Sequence, residues 1–214
     1  MPVLGAILAL LGWQTLALNW MGYFLLFFGS VYFFGILIYV SIGKISSRES
    51  ISSENLINEE KRDLSFWLIL PGMIIPFFLS PIEFLYFPQR LPQNKIMQLA
   101  GIIMVFFFVV LFTWTRIVNR KDYSGHLQVT KDQQLIQSGP YKYIRHPAYA
   151  SYIILTLGVS AAYSSAIGLG AVIIFLIPSI IYRIKIEEDL LIKRFGQQYL
   201  DYSRRTAHLI PGIW

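Results

Sequence analysis

The chain alternates long apolar runs with short polar segments, and each apolar run approaches the length of a membrane-spanning helix. Such a helix needs roughly 20 apolar residues to cross the hydrocarbon core of a bilayer. The pattern therefore predicts an all-α, polytopic integral membrane helical bundle with six spans, or with five if the first run lies only in the membrane interface. The six runs are Val3–Leu18, Tyr23–Ile42, Leu64–Ser80, Leu99–Val118, Pro147–Tyr163 and Ala166–Tyr182.

Prolines divide the middle of the chain. Pro71 and Pro76 lie inside the third run, where a proline removes backbone hydrogen bonds and bends a membrane helix. The segment Pro81–Gln98 contains further prolines, and we expect it to be irregular. The third span is therefore predicted as a bent helix that ends before Pro81.

The last two apolar runs are separated by residues 164 and 165 alone, and a connection this short permits only an antiparallel helical hairpin. The polar tail Arg183–Trp214 follows with helical periodicity. Gly196 is expected to end the first helix of this tail, because glycine readily adopts the left-handed conformation found after helix C-termini. We divide the chain into four N-terminal spans, residues 1–118, and a C-terminal subdomain, residues 119–214, which together form one structural unit.

Composition supports a location in the membrane. Hydrophobic residues make up 55% of the chain and charged residues 14%, whereas soluble domains carry about 25% charged residues. The net charge of +6 raises nucleic-acid binding as an alternative, but membrane-length apolar runs interrupt the basic residues and argue against it. The sequence has no Cys, which excludes disulfides, thiolate catalysis and Cys-ligated metals.

The cations are concentrated in three regions between or after the apolar runs. Cytoplasmic loops of membrane proteins are enriched in Lys and Arg. With six spans the three regions lie on one side, so both termini and the C-terminal subdomain are predicted to be cytoplasmic. Arg90 and Lys95 lie in the opposite loop and are the exception. The cations of the three regions are Lys44, Arg48, Lys61, Arg62, Arg116, Arg120, Lys121, Lys131, Lys142, Arg145, Arg183, Lys185, Lys193, Arg194, Arg204 and Arg205.

A dense group of aromatic, basic and turn-forming residues, 138–149, precedes the hairpin. Pro147 is suited to the first position of a helix, where its missing N–H costs nothing. The free N–H groups of Ala148 and Tyr149 at this helix start can hold an anion, and Arg145 and His146 add positive charge. The alternative is an ordinary boundary at headgroup depth, where Tyr and Arg are common.

A second charged group, Arg183 with Glu187 and Glu188, follows the hairpin. Arg183 and Glu187 lie one helical turn apart on the same face, and an ionisable group next to hydrocarbon tends to face a cavity or a partner. The alternative is a simple salt bridge between residues i and i+4, which contributes about 0.3–0.5 kcal/mol. That alternative leaves the second carboxylate, and the matching cluster before the hairpin, without an explanation.

Together these two stretches resemble the isoprenylcysteine carboxyl methyltransferase family, within a wider group that includes phospholipid N-methyltransferases. The resemblance rests on Gly-Pro-Tyr-Lys-Tyr-Ile-Arg-His-Pro-Ala-Tyr at 139–149, the Glu-Glu pair at 187–188 and Phe-Gly-Gln-Gln-Tyr at 195–199, and it covers residues 123–213. It implies a cytosol-facing catalytic subdomain that binds S-adenosylmethionine. The acceptor it implies is lipophilic, either a small molecule or a prenylated group drawn from the membrane lipid, most directly a prenylcysteine carboxylate or an analogue.

The resemblance also assigns roles to individual positions. Arg183 is the catalytic residue and meets the acceptor. Relatives often have His where this chain has Gln133, and His126 falls in a stretch of loose similarity. The cofactor-binding residues are expected to be Gln133, Gln134, Leu135, Ile136, Tyr141, His146, Pro147, Ala148, Tyr149 and Glu187.

Other functions compete with this interpretation. A phospholipid or amine N-methyltransferase keeps the cofactor and changes the acceptor. A sterol-type membrane reductase uses NADPH but is usually much longer than 214 residues. A transporter or other non-enzymatic membrane protein needs neither cluster. No metal site is expected, because the three histidines are widely spaced, and His208 is interpreted as a structural or interfacial residue. The oligomeric state stays open.

Overall fold

The computed structural model describes residues 64–87, 95–119, 134–212 and 214. The predicted spans Val3–Leu18 and Tyr23–Ile42 lie outside these residues. Within the described ranges the only strand-like pairing is an isolated parallel bridge between Ile144 and Ala207, so the all-α prediction is confirmed for this part of the chain. Its helices are α1 Leu64–Tyr86, α2 Lys95–Val118, α3 Pro147–Ala162, α4 Ala166–Phe195 and α5 Gln197–Ser203.

Two of the described helices, α2 and α4, are long and apolar enough to cross a membrane. Shorter apolar helical stretches are Pro71–Phe84 within α1 and the whole of α3. The number of spans stays a prediction, because the first two runs lie outside the described residues. The outer face of α2 exposes large apolar side chains, as expected for a surface in contact with lipid: Ile103, Phe106, Phe107, Val110 and Trp114.

The first described helix, α1, continues through Pro71, Pro76 and Pro81. The prediction of an irregular segment over Pro81–Gln98 was therefore wrong at both ends, because α1 extends into it and α2 already begins at Lys95. Membrane helices tolerate proline where neighbouring helices and side chains satisfy the freed backbone groups.

The sixth apolar run continues as helix well beyond the apolar residues. Helix α4 extends to Phe195, so Arg183, Glu187 and Glu188 all lie on it. Gly196 follows with φ +53°, a left-handed value that favours glycine, and it ends the helix as predicted.

A π-helical turn, Val172–Leu176, interrupts the α-helical pattern of α4. The N–H of Ile177 donates to the carbonyl of Val172, five residues back, instead of four. Pro178 follows directly and has no N–H to continue the α pattern. The added residue rotates the rest of α4 by about 100° relative to an uninterrupted helix.

Small residues let the helices approach closely. A Cβ atom placed on Gly101 in α2 would lie 2.4 Å from the backbone nitrogen of Ala162 and 2.5 Å from the carbonyl oxygen of Gly158, both in α3. A Cβ atom on Gly72 in α1 would lie 2.6 Å from the backbone nitrogen of Leu176, inside the π turn. Close packing through small residues is the usual way that membrane helices associate.

The hydrophobic core follows one face of α4 out of the membrane-length segment and into the C-terminal region. Residues of α3, the loop before it and the tail complete this core, so the polar end of the hairpin is held by continuous apolar packing. The buried members are Ile144, Ala150, Val172, Leu176, Ile180, Ile184 and Leu209.

At the opposite end of the hairpin a buried carboxylate joins α1 to the turn. Glu83 accepts hydrogen bonds from the Ser165 hydroxyl, at 2.6 Å, and from the backbone N–H of Ile167, at 2.9 Å. The Ser165 hydroxyl in turn accepts from the N–H of Gly168 and caps the start of α4. These bonds fix the antiparallel hairpin that the sequence predicted.

Candidate functional site

The loop before α3 is held against the end of α2 by a glycine. Gly139 has φ +60°, and a Cβ atom there would lie 2.6 Å from the Val118 side chain, so the position requires glycine for both reasons. The short 3-10 turn Gly139–Lys142 follows. Pro147 is buried and is the first residue of α3, with His146 at the N-cap, which confirms the predicted helix start.

Residues 206–209, here called the C-terminal strap, run alongside this loop. The N–H of Ala207 donates to the carbonyl of Tyr143 at 3.1 Å, and the N–H of Arg145 donates to the carbonyl of Ala207 at 2.8 Å. The N–H of His146 donates to the carbonyl of His208 at 3.1 Å. The strap therefore satisfies the backbone of the loop at Tyr143, Arg145 and His146.

One carboxylate, Glu188, gathers side chains from the loop and the strap. Its Oε1 accepts from Arg145 Nε at 2.8 Å and lies 3.2 Å from His146 Nε2. Its Oε2 lies 3.2 Å from His208 Nε2. The Nη1 atom of Arg145 donates to the backbone carbonyls of Ser203 and Thr206. Sequence reasoning missed this role of Glu188 and left His208 as an isolated residue.

The adjacent carboxylate, Glu187, is arranged differently. Its Oε2 lies 3.4 Å from His146 Nδ1, yet among the described residues this buried oxygen has no hydrogen-bond partner. About a third of the Glu187 side chain is exposed, against 18% for Glu188. Two neighbouring carboxylates thus face opposite edges of the same imidazole ring, and only Glu188 is committed to internal hydrogen bonds.

The electrostatics of His146 follow from this position. Burial lowers the pKa of His146, but the negative charges of the adjoining Glu187 and Glu188 carboxylates, with the hydrogen bond to Glu188, outweigh burial and leave it above its ordinary value. The two carboxylates therefore stabilise the protonated ring relative to the neutral one. The pKa of His208 is lowered instead, because burial outweighs the attraction of Glu188.

Arg183 lies beside this cluster, where the apolar part of α4 ends. Its side chain is buried, and its Nε donates a 2.7 Å hydrogen bond to the hydroxyl of Tyr149 on α3. The Tyr149 ring stacks on the His146 ring, with the ring centres 5.9 Å apart. Tyr149 therefore links the guanidinium to the imidazole, and the structure brings together four of the predicted site residues, His146, Tyr149, Arg183 and Glu187.

The predicted site residues before the 3-10 turn lie partly within the described chain. Gln134, Leu135 and Ile136 form an irregular segment before the 3-10 turn, with Gln134 exposed and the other two half-buried. Gln133 and His126 lie outside the described residues.

Tyr141 connects the loop to the ends of two helices, α2 and α5. Its hydroxyl accepts from Asn119 at the end of α2, at 3.3 Å, and its carbonyl accepts from the Tyr202 hydroxyl in α5, at 2.7 Å. The rings of Tyr199 and Tyr202 are both buried and meet edge to face.

Comparisons with known proteins bear on this site. Residues 97–193 match the model of the isoprenylcysteine carboxyl methyltransferase (ICMT) family. Protein-S-isoprenylcysteine O-methyltransferase B of Arabidopsis thaliana is 24% identical over 159 residues, which are 72% of this chain and 80% of the relative. The protein-S-isoprenylcysteine O-methyltransferase of Dictyostelium discoideum is 29% identical over 153 residues, 66% of this chain and 60% of the relative.

The fold has a solved counterpart. A structure of the eukaryotic intramembrane Ras methyltransferase ICMT aligns with a TM-score of 0.53 and 23% sequence identity, over 73% of this chain and 55% of the other. This chain thus spans about half the length of that solved protein. The predicted resemblance is confirmed, and with it the prediction of a membrane methyltransferase. The family match begins inside α2, earlier than the sequence motifs indicated, and stops before the C-terminal strap.

Proposed function

We propose that this chain, a membrane methyltransferase by its match to the isoprenylcysteine carboxyl methyltransferase family over residues 97–193, methylates the carboxylate of a lipophilic acceptor with S-adenosylmethionine as the donor. The observation that carries the proposal is the junction at the polar end of the hairpin. There the buried Arg183, held by Tyr149, adjoins the pair formed by His146 and Glu187.

The residues at this junction fit the donor. The buried Oε2 of Glu187 has no hydrogen-bond partner among the described residues, and a carboxylate oxygen suits the ribose hydroxyls or the ammonium of S-adenosylmethionine. The first N–H groups of α3, from Ala148 and Tyr149, lack acceptors within the helix and suit the donor carboxylate, and His146 at the N-cap adds positive charge there when it is protonated. Gln133, Gln134, Leu135, Ile136 and Tyr141 would form the wall that leads to this point, with Pro147 fixing the helix start.

Arg183 suits the acceptor. Its guanidinium can bind both oxygens of a carboxylate at once, and it lies where the apolar segment of α4 ends, so an acceptor whose tail stays in lipid can reach it. An ammonium acceptor would instead be repelled by the same side chain. The position of Arg183 therefore favours carboxyl O-methylation, as in the isoprenylcysteine O-methyltransferases, over amine N-methylation.

The chemistry needs little acid or base assistance from these residues. The bound donor supplies an electrophilic methyl group on a positively charged sulfur. An acceptor carboxylate oxygen forms the new bond to the methyl carbon while the carbon–sulfur bond breaks, and its electron pair stays on sulfur, so no proton moves. Arg183 orients the nucleophile and Glu187 orients the donor, and this positioning supplies most of the rate enhancement. The positive charge of the donor and the negative charge of the acceptor are both lost as the methyl group is transferred. Apolar walls that exclude water therefore assist the reaction.

The test is methylation by the purified chain in detergent or lipid. With donor labelled in the methyl group, we expect base-labile label on a farnesylated cysteine analogue with a free carboxylate, and none on the same analogue with its carboxylate amidated. Label on phosphatidylethanolamine instead would show the amine activity. Calorimetry with S-adenosylhomocysteine measures binding at the donor site, and NADPH, the cofactor of the reductase alternative, is the comparison ligand. No binding of S-adenosylhomocysteine by folded protein would overturn the proposal.

The placement of this site on the cytoplasmic side is part of the same proposal. The cationic loops and tail support it through the positive-inside rule, and a donor made in the cytosol then reaches the site directly. The division into spans up to residue 118 and a catalytic subdomain from 119 to 214 is likewise proposed.

A further inference from the structure

We propose that Glu188 and His208 are positioning residues of the methyl-transfer site, which hold the ring and the backbone of His146 in place so that Glu187 faces the donor. The inference rests on the proposed function, because it concerns the donor pocket of that site. His208 lies beyond the residues that match the family model, and sequence reasoning gave it no part in the site.

The geometry forms a closed circuit of three residues. The carbonyl of His208 accepts the backbone N–H of His146 at 3.1 Å. The Nε2 atoms of the two rings each lie 3.2 Å from a different oxygen of Glu188. His146 is therefore fixed at its backbone by the strap and at its ring by Glu188, and His208 joins these two holds because its own ring also contacts Glu188.

Arg145 reinforces this circuit. Its Nε donates to Glu188 at 2.8 Å, and its Nη1 donates to the carbonyls of Ser203 and Thr206. The guanidinium thus joins α4, the end of α5 and the start of the strap. Since its buried side chain is used in this way, its charge holds Glu188 rather than the donor.

The consequence is a division of labour between two adjacent carboxylates. Because Glu188 accepts from Arg145 and lies against both histidine rings, it keeps the Nε2 edge of His146 turned inward. The opposite edge, Nδ1, then points to Glu187 at 3.4 Å. Loss of the Glu188 charge would release the His146 ring. Glu187 would then lose the fixed imidazole that lies beside it at the N-terminus of α3.

Trp214 covers the outer side of the circuit. Its indole stacks on the His208 ring with centres 4.6 Å apart and an angle of 12° between the planes. Its carbonyl accepts the N–H groups of Leu209 and Ile210, and its N–H donates to the carbonyl of Ile210. Trp214 thus folds back over the His208 ring.

The experiment compares Glu188→Gln and His208→Leu with Asp189→Asn in the full chain. Asp189 is the next carboxylate along α4 and is exposed, so its variant removes the same charge without touching the circuit. S-adenosylhomocysteine affinity is measured by calorimetry, and KM for the donor is separated from kcat. We expect both circuit variants to weaken donor affinity by about tenfold or more, as for loss of a hydrogen bond to a charged group, and Asp189→Asn to match the unchanged protein.

A second readout separates positioning from general stability. The sequence has only three histidines, so imidazole ¹⁵N signals can be followed against pH in labelled protein without any ligand. We expect the titration of His146 to move to lower pH in Glu188→Gln. We also expect His208→Gln, whose side chain keeps an N–H group, to restore part of the S-adenosylhomocysteine affinity lost in His208→Leu.

The outcomes separate the two proposals. If the unchanged protein binds S-adenosylhomocysteine but Glu188→Gln binds it equally well and titrates His146 at the same pH, the positioning role is wrong. If the unchanged protein does not bind S-adenosylhomocysteine at all, the proposed function fails, and the histidine titration alone then decides whether the circuit exists.

Discussion

The Nε atom of Arg183 donates a 2.7 Å hydrogen bond to the hydroxyl of Tyr149, which joins the two arms of the hairpin at the candidate site. A guanidinium presents five N–H donors in one rigid plane. Fixing one edge of that plane therefore fixes the direction of the other donors. The resemblance assigned Tyr149 to the donor pocket, whereas this contact connects its hydroxyl to the residue proposed to bind the acceptor.

Removing the Tyr149 hydroxyl tests that connection. Tyr149→Phe keeps the ring that stacks on His146 and deletes the acceptor of the Arg183 hydrogen bond. We expect kcat/KM for a prenylcysteine acceptor to fall about tenfold to a hundredfold, the effect of losing a hydrogen bond to a charged group, with S-adenosylhomocysteine affinity little changed. Tyr182→Phe, an exposed tyrosine beside Arg183, is the matched control. Equal losses in both variants would contradict the prediction.

Substitutions at Arg183 and Glu187, which lie one helical turn apart on α4, should impair different steps of the reaction. We expect Arg183→Ala to abolish turnover with little loss of donor affinity, because it removes the acceptor site. Glu187→Ala should weaken the donor instead, because it removes the buried oxygen proposed to meet it. Calorimetry with S-adenosylhomocysteine on both variants measures this directly. The same loss of donor affinity in both would refute the division of roles.

Local rules were enough to predict parts of the site from the sequence. Pro147 begins α3 and Gly196 ends α4, because proline and glycine each have a strong intrinsic backbone preference. Arg183 was recognisable because a charge next to hydrocarbon needs a partner. These signals depend on nearby residues along the chain, so they are readable without a structure.

The pairing across the site could not be predicted in the same way. Which face of α4 meets the loop depends on the π turn at Val172–Leu176, since one added residue rotates the helix by about 100°. Regular 3.6-residue periodicity gives no sign of it. The roles of Glu188 and His208 also depend on the strap pairing with the loop, which joins residues about 60 positions apart.

The raised pKa of His146 predicts a pH dependence of stability. A base whose pKa is higher in the folded than in the unfolded state stabilises the fold below its unfolded pKa, and this contribution is lost as pH rises through the folded pKa. The titratable and charged groups around the ring are Glu187, Glu188, the stacked Tyr149 and, through Glu188, Arg145 and His208. We therefore expect the thermal unfolding temperature to decrease as the pH rises above about 6.5, the ordinary pKa of histidine.

The control for this prediction is His146→Gln, in which the decrease should be absent. His208 contributes with the opposite sign, because its lowered pKa favours the neutral form in the folded state and weakens the fold as pH falls. Measurements in the His208→Gln background therefore isolate the contribution of His146. An unchanged slope in His146→Gln would show that another group titrates.

Close packing of α2 on α3 should be sensitive to any added side chain at Gly101. In Gly101→Val the new atoms would meet the backbone of Ala162 and Gly158, and backbone cannot move aside as a flexible side chain can. We expect the free energy of unfolding to fall by about 1–3 kcal/mol, the usual cost of overpacking. Gly170→Val is the matched control, because nothing lies within 4 Å of a Cβ atom there. A similar loss at Gly170 would point to helix propensity instead of packing.

The predicted orientation can be tested cleanly because the chain has no Cys of its own. Ala166→Cys and Gln197→Cys each place one thiol at an exposed position, the first at the turn of the hairpin and the second just after α4. If α4 crosses the membrane, these thiols lie on opposite sides. In sealed vesicles we expect a membrane-impermeant maleimide to label Gln197→Cys only from the cytoplasmic face and Ala166→Cys only from the other.

Phe107→Cys, on the exposed apolar face of α2, should resist the polar reagent from both sides as long as the bilayer is intact. Labelling of Ala166→Cys and Gln197→Cys from the same face would show that α4 does not span the bilayer.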